Sequence, residues 1–227
     1  MIKAVIFDMD GILIDSEPFW RESETAVFAR IGVSVTEEMC KETMGMRVDE
    51  VVKYRHEKQK WEGKSLKAVE MEIMDEIESR INLKGEPMPG VDYILDFFRS
   101  RNIRLALASS SYVRVINTIL QKLKLQQTFE IVHSGEYEQK GKPHPAIYLS
   151  VLRKLNLAAA DAIAIEDSYN GLLSARAAGL RTVVIPAPNI RNESRFDSAD
   201  IKLSSLLEFR EEHVRFLDNT SKVEYTN

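Results

Sequence analysis

Six short apolar runs recur along the chain, at residues 5–7, 105–108, 131–133, 162–165, 182–185 and the weaker 201–203, and helical stretches separate those from residue 105 onward. That alternation constrains the fold more than any other feature. Strands joined through helices do not form hairpins; they need crossovers, which lay the strands parallel and cover both faces of the sheet. Strands buried on both faces read as continuous apolar runs, as these do. The chain is therefore expected to be an α/β protein with a Rossmann-like parallel sheet core.

Between the first run and the second, no convincing strand occurs from Pro18 to about Ile81. Residues 19–31 end before Gly32, a good C′ glycine, and Thr36 is placed to cap the next helix. Behind Ser65, a candidate N-cap, Leu66, Val69, Ile73, Ile77 and Ile81 repeat at steps of three and four, one amphipathic stripe. Residues 84–90 are turn formers without periodicity. The expected organisation is a split core, 1–15 and 85–227, interrupted by a small all-α unit at 16–84. The charged tail from Glu211 onward reads as a frayed terminus.

Polar side chains close four of the strands. Val5-Ile6-Phe7 stops at Asp8-Met9-Asp10-Gly11, whose two carboxylates project to one side of an extended chain while the glycine permits a sharp turn. Like charges that close repel, and a hard cation such as Mg²⁺ is the usual means of holding them together. One carboxylate is then free to act as nucleophile and the other to move protons. Taken alone, the segment reads equally well as a surface β-turn. Leu105-Ala106-Leu107-Ala108 ends in Ser109-Ser110-Ser111, and hydroxyls and N–H groups at a strand-to-helix junction suit a phosphate. Gly141-Lys142-Pro143-His144-Pro145 holds a point charge between stiff neighbours, and Ala162-Ile163-Ala164-Ile165 ends in Glu166-Asp167-Ser168. Each segment also has a structural explanation as a cap or a solvated charge. Together they gather acid, hydroxyl, base and acid at one sheet edge, where open α/β folds place ligands.

In order and rough spacing these four segments resemble the haloacid dehalogenase superfamily, in its Mg²⁺-dependent phosphatase branch, across nearly the whole chain. The resemblance implies Asp8 as a nucleophile that becomes an aspartyl phosphate and Asp10 as general acid and base. Ser109 and Lys142 would hold the transferring phosphoryl group, and Asp8, Asp10 through its carbonyl, Glu166 and Asp167 would hold Mg²⁺. The helical insertion becomes a cap over the catalytic edge, hinged near Asp15-Ser16 and the 84–90 linker. Within the superfamily, Asp15-Ser16-Glu17-Pro18-Phe19-Trp20 and Thr43-Met44-Gly45-Met46-Arg47 look like the first cap helix and specificity loop of the 2-deoxyglucose-6-phosphate and hexitol-phosphate phosphatases. Small phosphorylated sugars and polyols are the implied substrates. Trp20 would form a stacking wall, Glu17 and Arg47 would bond hydroxyls, and Ser110 and Ser111 would assist in binding.

Two other functions compete. A β-phosphoglucomutase-like mutase would carry a basic residue after the serine segment and a histidine in the first cap helix, where this chain has Tyr112 and Trp20. A non-catalytic phosphosugar-binding protein would have no need of all six presumed active groups. A formal net charge of −4 disfavours nucleic acid as a partner. No run approaches the roughly 20 apolar residues that span a bilayer. The single cysteine, Cys40, permits no intrachain disulfide. A cytoplasmic monomer is expected.

Overall fold

The computed structural model describes residues 1–220. It opens with β1 (Ala4–Phe7), followed by four helices, α1 (Glu17–Arg30), α2 (Glu37–Thr43), α3 (Val48–Lys58) and α4 (Leu66–Lys84). After them come α5 (Val91–Arg99), β2 (Arg104–Ser109), α6 (Val113–Lys122), β3 (Ile131–Ser134), α7 (Ala146–Leu155) and β4 (Ala162–Glu166). Last are α8 (Tyr169–Ala177), β5 (Arg181–Val184), β6 (Ile201–Lys202) and α9 (Glu211–Thr220).

The six strands form one sheet in the order β3-β2-β1-β4-β5-β6, every neighbouring pair parallel. Every residue of β1, β4 and β5 is buried, as two covered faces require. Crossovers run outward in opposite directions from β1 and β4, so the strand order switches between them. Open α/β sheets bind their ligands beyond the carboxyl ends of strands at such a point.

The insertion between β1 and α5 is wholly helical. In α1 the chain leaves through a left-handed Gly32 (φ +75°), with the Val33 N–H closing back on the Phe28 carbonyl at 3.0 Å. Thr36 accepts from the Met39 N–H, and Ser65 from the Ala68 N–H. The stripe on α4 is fully buried at Val69, Ile73, Ile77 and Ile81. At about 1.5–3 kcal/mol per side chain, that burial rather than helix propensity holds α4 against α1 and α3. Leu66 is only partly buried. The two connections between helical unit and sheet touch one another: Ile14 bridges Pro87, and the Met88 N–H donates to the Leu13 carbonyl at 3.0 Å.

One expectation fails at the C-terminus. Residues 211–220 are not frayed but form α9, because Val214 and Leu217, three apart and hence on one face, are buried in the core. The rest of the expected frayed tail, 221–227, lies outside the described residues. Among the described residues, no helix is long and apolar enough to cross a membrane.

Candidate active site

Register builds the site. Phe7 pairs with Leu107 of β2 and with Ile165 of β4, so three strands end at one level. Asp8 follows β1, with its N–H on the Ile165 carbonyl at 2.9 Å, and meets Glu166 and Asp167 at the end of β4. Carboxylate oxygens of Asp8, Glu166 and Asp167, all buried, lie within 4.8 Å of one another. Two glycines make the packing possible. A Cβ at Gly11 (φ +74°) would stand 2.2 Å from Asp167 Oδ2, and one at Gly171 would stand 2.0 Å from Glu166 Oε2.

Lys142 reaches into this cluster, 2.6 Å from both Asp8 Oδ1 and Glu166 Oε1, and also donates to the Ala108 carbonyl at 3.2 Å. Tyr148, buried on α7, donates to the same Glu166 oxygen at 2.5 Å, and Ser168 donates to Oε2 at 3.3 Å. Burial opposes the charge on Lys142, yet the two flanking carboxylates hold its pKa above the ordinary lysine value. The carboxylates are the strained members, three facing one ammonium. Burial pushes Asp8 up to about 8, reinforced by Glu166 and Asp10 and opposed by Lys142. Burial and the Glu17, Asp8 and Glu166 charges push Asp167 well above the usual carboxylate range. An all-oxygen cluster with this surplus of negative charge fits a hard divalent cation.

Asp10 sits apart from the lysine and collects four donors. Ser16 Oγ (2.5 Å) and Trp20 Nε1 (2.9 Å) donate to Oδ1, while Ser111 Oγ (2.9 Å) and Ser109 Oγ (3.5 Å) share Oδ2. These partners come from both the helical insertion and the end of β2, so the two together fix the orientation of Asp10. The 43–47 segment is tied to the sheet side of the molecule elsewhere too. Ser110 Oγ donates to the Gly45 carbonyl at 2.7 Å, and Asn170 Nδ2 to the Met44 carbonyl at 2.9 Å. Between the layers lies a narrow cavity, with about 60 Å³ open to the centre of a water molecule.

Asp8, Asp10, Glu17, Trp20, Ser110, Ser111 and Asp167 all line that cavity. Ser109 and Glu166 are fully buried and do not line it: Ser109 accepts from the Ser111 N–H at 3.1 Å, and Glu166 accepts from Lys142. Trp20 is tied by its indole N–H to Asp10, a contact that helical periodicity does not reveal. Arg47 does not reach the cavity. Its guanidinium is buried against the Gly135 carbonyl (3.0 Å), the Glu138 carbonyl and Asp49 (2.8 Å), because the backbone after β3 lies within its reach. The expectation of Arg47 as a hydroxyl-binding residue is corrected accordingly. Ser16, Tyr148 and Glu24 were not anticipated. Of these only Glu24 left a signal, being four residues from Trp20 and seven from Glu17 on one helix face.

A sequence model of the haloacid dehalogenase-like hydrolases matches residues 5–185. The chain belongs to the haloacid dehalogenase-like hydrolases. Among curated members, hexitol phosphatase B of Escherichia coli (strain K12) is 36% identical over 208 residues, covering 91% of this chain and 94% of that protein. A phosphorylated carbohydrates phosphatase of Thermotoga maritima is 33% identical over 193 residues, covering 80% and 84%. Among solved structures of this kind, CbbY from Rhodobacter sphaeroides in complex with phosphate superposes with a TM-score of 0.83 at 27% identity, covering 92% of this chain and 96% of that one. Haloacid dehalogenase-like hydrolases generally use a divalent metal, and the buried trio of Asp8, Glu166 and Asp167 is a group that could hold one.

Proposed function

We propose that this protein is a Mg²⁺-dependent phosphatase of small sugar or polyol phosphate monoesters, working through an aspartyl phosphate on Asp8. The observation that carries the reading is the lysine-bridged trio of buried carboxylates facing an Asp10 held by four donors. The substrate class rests on similarity to the hexitol and carbohydrate phosphatases. In this reading, residues 1–15 and 85–227 are the catalytic core and 16–84 the cap.

An Asp8 carboxylate oxygen attacks phosphorus in line, forming a P–O bond as the bond to the sugar oxygen breaks. Asp10 delivers a proton to that departing oxygen. It then takes one from a water that attacks the aspartyl phosphate, releasing inorganic phosphate and restoring Asp8. Lys142 and the Ser109 hydroxyl neutralise and orient the phosphoryl oxygens, positioning and charge being most of what such a transfer needs. Mg²⁺, held by Asp8, the Asp10 carbonyl, Glu166 and Asp167, would supply the remaining charge neutralisation. Closure of the cap would exclude bulk water while Asp8 attacks phosphorus.

The test is phosphate release from a panel of phosphorylated sugars and polyols, with Mg²⁺ and after chelation, using wild type and Asp8→Asn. Metal-dependent turnover that vanishes in the variant supports the reading. Equal turnover by Asp8→Asn overturns the assignment of the nucleophile.

A further inference from the structure

Glu24 is a buried carboxylate without an adequate partner. It is 8% exposed and lines the catalytic cavity from α1. Among the described residues its one hydrogen bond is a long contact from Cys40 Sγ, 3.8 Å to Oε2. The nearby Arg55 is engaged elsewhere, donating to the Met39 carbonyl and to Thr43 Oγ1 at 3.1 Å. A carboxylate offers about four acceptor sites, and a thiol is a weak donor to one of them. Buried polar groups left this poor in partners are rare where no ligand completes them.

Its position indicates which part of a ligand it meets. Glu24 is one helical turn, about 6 Å of rise, beyond Trp20, whose indole N–H is fixed on Asp10. It therefore faces atoms several bonds from the ester oxygen that Asp10 serves. Burial also pushes Glu24 up to about 7, opposed by Arg55, so the site disfavours a bare charge and rewards a donor.

We propose that the Glu24 carboxylate accepts a hydrogen bond from a hydroxyl of the leaving group and so selects polyhydroxylated phosphate esters. The proposal rests on the phosphatase reading. A charge-assisted hydrogen bond inside a dry cavity discriminates strongly against analogues that lack the donor.

The experiment compares kcat/KM for sorbitol 6-phosphate with that for p-nitrophenyl phosphate, whose leaving group has no alcohol hydroxyl, in wild type, Glu24→Gln and Glu24→Leu. The selectivity ratio should fall about 10- to 100-fold in Glu24→Leu, with Glu24→Gln, which keeps an acceptor oxygen, between the two. An unchanged ratio in both variants overturns the proposal. So does a larger loss on glucosamine 6-phosphate than on sorbitol 6-phosphate, which would mark the site as a receptor for an ammonium group. Wild type inactive on every ester overturns the phosphatase reading itself, a result distinct from an unchanged ratio.

Discussion

Replacing Glu24 by glutamine should stabilise the folded protein, and by an amount that depends on pH. Burial raises this carboxyl from 4.5 to about 7 in the folded state. In the unfolded chain it titrates near its ordinary value. Below that value both states hold the proton and the group contributes nothing to the difference. As pH rises through the window from 4.5 to about 7, the unfolded chain releases the proton first, so folding stability is lost across it. The full loss is about 2.5 pKa steps at about 1.4 kcal/mol each, or roughly 3.5 kcal/mol above the window. Glutamine has nearly the same shape and does not titrate. Urea unfolding of wild type and Glu24→Gln should therefore agree at about pH 3 and diverge to about 3 kcal/mol by about pH 8, with a melting point some 6–12 °C higher in the variant. Removing a strained functional group commonly gains stability at the expense of activity. A stability difference that stays constant across that pH range would refute the premise that Glu24 is a desolvated, poorly partnered carboxylate.

Lys142→Met leaves Asp8 and Glu166 without their shared cation, and chemical denaturation should report a loss of about 3–5 kcal/mol together with loss of turnover. Arg47→Ala removes the side-chain bonds from α3's N-cap to the Gly135 and Glu138 carbonyls, weakening the closed cap. Steady-state kinetics should then show KM rising by a similar factor for every ester; a loss confined to polyol esters would restore Arg47 as a substrate reader. Leu217→Ala should destabilise by about 2–5 kcal/mol in the same denaturation assay, because the side chain is fully buried. A change under about 0.5 kcal/mol would mean that α9 is not docked.

The parts of this molecule that were readable from the chain follow from strong, local rules. Apolar runs buried on both faces have no alternation to disguise them, and α4 carries its stripe and its Ser65 cap in plain view. Because a parallel sheet aligns strand ends, polar residues at the carboxyl ends of β1, β2 and β4 had to converge: Lys142 bonds Asp8 and Glu166, and Ser109 bonds Asp10. Long side chains were less readable. An arginine's reach exceeds the spacing between a cavity and a neighbouring loop, and Arg47 found backbone carbonyls after β3, far away in sequence. Tyr148 is placed against Glu166 by the packing of α7 under the sheet, which no local pattern encodes. Trp20 stood on the right face of α1, but its bond to Asp10 depends on how the cap closes. In α9, three apolar residues among charges mark the helix, and the core covers only two of them, Val214 and Leu217.

Trapping the covalent intermediate tests the central claim most directly. In Asp10→Asn the leaving group receives no proton and the hydrolytic water no base, but p-nitrophenolate departs without protonation, so the first transfer proceeds and the second stalls. Acid quench of that variant with p-nitrophenyl phosphate, followed by peptide mass mapping, should find one phosphoryl group on the peptide carrying Asp8. Hydrolysis with no phosphoenzyme, or a phosphoryl group on any other side chain, would contradict the account.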